Sequence, residues 1–190
     1  MTTASPLLAS TGVSMPAGIW TIDSSHSEVG FVVRHLVVSK VRGFFEKFTG
    51  TITVADDFSQ SKVVANIDAS SVNTRDEGRD NHLRTNDFFG IQEHPVWTFA
   101  STGVRDGSKG HYSVEGNLKI KGVTKPVTLA LEVHGVTKDS YGNTKAGFTA
   151  NTKINRSEFG IEFNAPLETG GFVLSDSIDI VIEIEATLQA

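Results

Sequence analysis

An all-β fold, an antiparallel sandwich or closed barrel of about eight strands, is predicted by two patterns that run the length of the chain. From Trp20 onward apolar and polar residues alternate with a period of two, which marks strands with one face in an interior and one in water. Turn-forming clusters separate the alternating runs: Asp56-Asp57, Asp106-Gly107-Ser108, Gly122 ahead of Pro126, Tyr141-Gly142-Asn143 and Gly170-Gly171. Glycine and aspartate at these points supply the backbone conformations that tight reversals need.

Taken in order, the strands are read from KVVANIDAS, VWTFAST, HYSVEGNLKI, VTLALEVHGV and SIDIVIEIEATL. The last run is the cleanest, with Ile178, Ile180, Ile182, Ile184 and Ala186 on one face and Asp179, Glu183 and Glu185 on the other. The same alternation turns Phe31 and Val33 inward, and Ala65 with Ile67, Trp97 with Phe99, Leu118 with Ile120, the Leu129–Val133 row, and Phe148 with Ala150. Two stretches break the pattern. His35–Val41 is expected to form a short helical or irregular turn. Asp76–Asn86 is expected to form a charged helix with Leu83 facing inward, capped by Asp76 or Thr74. His94-Pro95 ends that segment and starts the next strand.

Within the 190 residues a single domain is expected over residues 18–190, since no repeat, low-complexity tract or interdomain linker is evident. A flexible N-terminal tail is expected over 1–17, because its apolar residues are broken up by Ser, Thr, Gly and Pro. The tail lacks the basic n-region and continuous apolar core of a secretion signal. No apolar run reaches the length of about 20 residues that a membrane-crossing helix needs. A cytoplasmic, soluble protein is the expectation. The net charge of −5 argues against a nucleic-acid partner. The absence of cysteine removes disulfides, thiolate metal sites and thiol nucleophiles.

Motifs for catalysis are missing. The six histidines, His26, His35, His82, His94, His111 and His134, show no metal-ligand spacing. There is no G-x-S-x-G elbow, P-loop or G-x-G-x-x-G run. No metal or cofactor is expected. Many of the twelve phenylalanines lie at strand ends or beside irregular segments, among them Phe44, Phe45, Phe48, Phe88, Phe89, Phe159, Phe163 and Phe172. Two readings of them stay open: they close the ends of an ordinary core, or they ring the mouth of a cavity for an apolar ligand. The charges that follow inward rows, His35 and Arg156, need partners. An Asp80–Arg156 pair locking the helix to the barrel is expected.

Five blocks together resemble the YceI-like family: WTIDSSHSEVGFVVRHL, VRGFFEKFTGTI, ASSVNTRDEGRDNHLRTNDFFGIQEHP, LKIKGVTKPVTL and NRSEFGI. Their order and spacing hold from Ile19 to Leu188. The resemblance implies a lipocalin-like fold, an extended antiparallel barrel with one or two short helices near its opening. It also implies binding of a polyisoprenoid or similar amphiphile in an internal tunnel without known catalysis, and frequent dimerisation. Many members carry a secretion signal, which this N-terminus does not show. Phe31, His35, Phe45, Phe48, Asp80, Leu83, Phe88, Phe89, Phe99, Arg156 and Phe159 match recurrent family positions. With Val33, Ile67, Trp97 and Phe148 from the inward rows, and Asp80 kept for the lock, they are the candidate ligand-binding residues. The expected function is non-catalytic binding, transport or storage of a long-chain isoprenoid, isoprenoid quinone or fatty-acyl ligand, in a monomer or homodimer. The alternatives are a lipid hydrolase or isomerase using His35 or His82 with Asp80, and a barrel whose core is simply full.

Overall fold

The computed structural model describes residues 15–168 and 170–190. Its strands are β1 (Gly18–Ile22), β2 (Glu28–His35), β3 (Ser39–Phe45), β4 (Phe48–Val54), β5 (Lys62–Asp68), β6 (Val72–Asn73), β7 (Val96–Asp106), β8 (His111–Ile120), β9 (Val123–Lys138), β10 (Thr144–Asn155) and β11 (Leu174–Leu188), with one α-helix, α1 (Glu77–Arg84). All strand pairings are antiparallel, in the order β1-β4-β5-β7-β8-β9-β10-β11, and β11 returns to β1 to close an eight-stranded barrel.

The remaining strands extend this barrel at one end. The chain of β1 bends at Ser24–His26, where the Asp23 carboxylate accepts a hydrogen bond from the Ser25 amide, and resumes as β2. The chain of β3 resumes as β4 after Glu46-Lys47, and that of β5 as β6 after a turn capped by Asp68. Each bent strand thus serves the barrel with one half. Its other half builds an arm of β2, β3 and β6 that continues alongside β11. Closing so few strands requires strong twist and coiling. Bulges supply some of it, between Ser101 and Gly103 in β7 and at His134 in β9, opposite Gly147 and Phe148 of β10.

Helix α1 lies at the extended end. Asp76 is its N-cap, accepting from the Arg79 amide at 2.8 Å. Eight residues are too few for a helix to persist alone, and side chains tie this one to the arm. Arg84 donates from Nε to Ser70 O (2.8 Å) and from Nη2 to Val72 O (3.0 Å). Arg79 donates to the Thr74 hydroxyl (2.7 Å) and to Thr74 O (2.8 Å).

The turn expected between strands at His35–Val41 is present as the β2–β3 reversal, but it is not helical and spans only Leu36–Val38, with Leu36 (φ 53°) and Val37 (φ 65°) in the left-handed region and the flanking residues in the strands. The tail expectation needs correction. Of the tail expected over 1–17, residues 1–14 lie outside the described residues, and Met15 is fully buried. Met15 belongs with Trp20, Val54, Tyr112, Val133, Phe148 and Ala186 to an apolar cluster that fills the barrel end remote from α1.

Candidate ligand-binding cavity

The inward rows do not meet in the middle of the barrel. They surround a cavity of about 500 Å³ that runs from the α1 end down to Met15. Its wall is almost wholly aliphatic and aromatic. Every candidate binding residue lies on this wall: Phe31, Val33 and His35 from β2, Phe45 and Phe48 from β3 and β4, and Ile67 from β5. Leu83, Phe88 and Phe89 come from α1 and the turn after it, Trp97 and Phe99 from β7, Phe148 from β10, and Arg156 and Phe159 from the turn after β10. A barrel packed solid, one of the alternatives for the core, is therefore not what the fold contains.

The space stays open partly because two large rings rest on glycines of the neighbouring strand. Phe31 lies opposite Gly43, and a Cβ on Gly43 would come within 2.3 Å of the Phe31 ring. A Cβ on Gly116 would likewise lie 2.4 Å from Phe99 and 2.7 Å from the Ala100 carbonyl. With a side chain at either glycine, the ring would have to move. Trp97 packs edge-on against Phe45 and Phe89, at centroid separations of 5.1 and 4.6 Å. These edge-to-face contacts build the aromatic floor beneath α1 in the geometry that ring pairs prefer.

The mouth is framed by the turn after α1 and by residues 161–173. Phe88, Phe163 and His82 form a triangle of rings with centroids 5.0 to 5.2 Å apart. His82 is 45% exposed, and its Nε2 lies 2.8 Å from Asp87 Oδ2. The His82–Asp80 arrangement weighed for an enzyme is therefore not formed, because Asp80 is turned the other way.

The expected Asp80–Arg156 lock is not formed either. Buried Asp80 accepts from the Thr74 amide (2.9 Å) and the Thr74 hydroxyl (2.5 Å), so it locks α1 to its own approach strand. Arg156, equally buried, donates to three carbonyls: Ser175 O (3.1 Å), Ile161 O (2.9 Å) and Phe163 O (2.8 Å). Burial pushes its guanidinium below the ordinary arginine value, and nearby Asp176 opposes the shift. Arg156 thus pins the 161–173 segment to β11, and Asp176 adds bonds to the Ser157 amide (3.0 Å) and hydroxyl (2.8 Å). Both charges are satisfied locally, which is why neither needs the other.

Sequence reasoning missed the polar and far-end parts of the wall, notably Arg79, Thr74 and Met15. Met15 carried a signal, an apolar residue just ahead of the first strand. Phe163 stood among the strand-end aromatics without being selected. On the outside of the barrel Asp23, His26 and Glu185 converge. Lys145 Nζ already sits between the two acids, 3.0 Å from each. The Ser25 hydroxyl above all, with His26 and Lys145, holds the Asp23 carboxyl well below the usual carboxylate range. Asp23 and Glu185 in turn raise the Lys145 ammonium.

A closed antiparallel barrel with an extended arm, a short helix at its extended end and an apolar internal cavity defines a lipocalin-like barrel. The chain belongs to the YceI-like family, whose domain model matches residues 20–186. A UPF0312 protein of Staphylococcus aureus is 39% identical over 172 residues, 90% of this chain and 98% of that protein. The YceI protein of Campylobacter jejuni shares 34% identity over 88% of this chain and 96% of its own, with a TM-score of 0.69. A polyisoprenoid-binding domain from Saccharophagus degradans superposes with a TM-score of 0.70 over 90% of this chain and 98% of its own, at 18% identity. Among the described residues no helix is long and apolar enough to cross a membrane.

Proposed function

We propose that the protein is a non-catalytic carrier or store for a long-chain amphiphilic lipid, a polyisoprenoid or isoprenoid quinone, held in the barrel. The observation that carries this reading is the apolar cavity of about 500 Å³ running from the mouth to Met15. Such a space suits a flexible hydrocarbon chain, with few polar contacts to fix it. About ten CH₂-sized groups moved out of water would contribute about 8 kcal/mol. That is the free energy of micromolar binding, before ordering costs are subtracted. The name of the Saccharophagus degradans domain supports the choice of a polyisoprenoid.

A lipid-modifying enzyme is the second reading, and His82 beside Asp87 at the mouth is the observation in its favour. The test is native mass spectrometry of protein purified without detergent, followed by titration with a fluorescent polyene lipid that quenches Trp97. The carrier reading expects a co-purified lipid mass or saturable quenching, with the lipid recovered unchanged. Protein that stays ligand-free and ignores the probe sinks it. Turnover of a lipid ester that His82→Ala abolishes would favour the enzyme.

A further inference from the structure

The rim of the mouth carries exposed apolar side chains on two neighbouring arms. On the β2–β3 hairpin Val37 and Val38 are 73% and 85% exposed, and on the 161–173 segment Phe172 is 62% exposed. The arms are joined, since the Leu36 amide donates to Val173 O at 2.8 Å and His35 pairs with Leu174. The hairpin reversal places Leu36 and Val37 in the left-handed region, where asparagine or glycine fits readily and a β-branched residue is strained. An apolar tip is thus kept at a position where local conformational preference opposes it.

Cationic side chains lie directly behind this tip. Arg34 and Lys40 face each other across the hairpin, and both are exposed. Lys40, Arg42, Arg75 and Arg79 line one recess against a single acid, Glu28. Val41, Thr74 and Arg79 border that recess and the apolar cavity alike. The whole chain carries a net charge of −5, so this local excess of cations runs against the overall balance. Of the acids near the mouth, Glu162 and Glu168 lie on the other arm, and Asp87 lies on the turn after α1, beside His82.

We propose that this rim docks on an anionic lipid bilayer. Val37, Val38 and Phe172 enter the boundary between headgroups and acyl chains. Lys40, Arg42 and Arg75 meet the lipid phosphates, by the pairing of apolar and basic residues that holds interfacial segments. The mouth then opens against the membrane, and an apolar ligand passes between bilayer and cavity without crossing water. Charge complementarity and continuity with the cavity select a bilayer over a second copy of the chain, whose matching surface would be equally cationic.

The test is flotation of the full chain with vesicles of phosphatidylcholine, with and without phosphatidylglycerol. The native protein floats with the anionic vesicles, and less so in high salt. The double substitution Val37→Asp/Val38→Asp lowers the vesicle-bound fraction by at least about tenfold. Lys40→Gln/Arg42→Gln weakens binding to the anionic vesicles alone, by about fivefold per residue. Neither pair lines the cavity, so both variants keep native uptake of the polyene probe and a native circular-dichroism spectrum. This uptake reading separates failure to dock from failure to bind lipid. Native protein that takes up the probe yet stays with the soluble fraction overturns the proposal. So does a Val37→Asp/Val38→Asp variant that floats like the native chain, or one whose main change is dissociation of a dimer.

Discussion

Replacing Arg156 by methionine keeps the length and apolar stem of the side chain and removes its charge. Three carbonyls, of Ile161, Phe163 and Ser175, lose their donor. Hydrogen bonds from a charged donor contribute about 1.5–3 kcal/mol each, so a simple sum would reach about 4.5–9 kcal/mol. Two offsets reduce it. The bonds to Phe163 and Ser175 are only part-buried, so water reaches those carbonyls once the guanidinium is gone. The guanidinium itself no longer has to be desolvated. A loss of about 3 kcal/mol is therefore expected, and with a urea slope of about 2 kcal/mol per molar it lowers the unfolding midpoint by about 1.5 M. Urea titration followed by tryptophan fluorescence measures it, and a loss below about 1 kcal/mol would refute the anchoring role. A double-mutant cycle with Asp80→Ala completes the test. The two charges satisfy separate partners, so their effects are expected to add within about 0.5 kcal/mol. A larger coupling would restore the direct lock between them.

Filling the cavity should separate stability from binding. Ala150 faces the cavity between Ile182 and Leu131, and Ala150→Phe is expected to weaken the polyene probe by at least about tenfold while leaving the thermal midpoint equal or higher. Unchanged probe affinity would show that the lipid lies elsewhere. The Asp23 cluster should respond to acid. Because its folded-state value lies below the unfolded one, its contribution is complete above the unfolded value of about 4 and is lost as pH falls toward the folded value. The gap in thermal midpoint between the native chain and Asp23→Asn is therefore expected to narrow from neutral pH to about pH 3. A constant gap would remove Asp23 from the acid response.

The strands were legible because each has one wet face and one dry face, and the period of two records that difference wherever it occurs. The Asp76 cap was legible for a similarly local reason, as a short acidic side chain ahead of a helix. The cavity was not, since Phe31, Trp97 and the Ile178–Ile184 row read the same whether they meet or stand apart. Only the glycines at 43 and 116, each under a ring from the next strand, hint at the difference, and they do so only once the register is known. The β2–β3 reversal was legible as a break in the alternation but not as a tight hairpin, because Leu36-Val37-Val38 contains none of the residues that mark such a turn. The lock was misassigned because a buried charge announces its need for partners without saying where they are. Thr74 lies six residues from Asp80, and two of the three carbonyls that hold Arg156 lie within seven residues of it.

The rings that rest on Gly43 and Gly116 give the protein an unusual relation to hydrostatic pressure. Unfolding collapses internal void, so the unfolded chain occupies less volume, and pressure favours it in proportion to the void removed. A barrel holding about 500 Å³ of open space is compressible in a way that a solid core is not. An apolar ligand lying in that space would take the volume term away, so on the proposed carrier reading occupancy would raise the pressure at which the fold gives way.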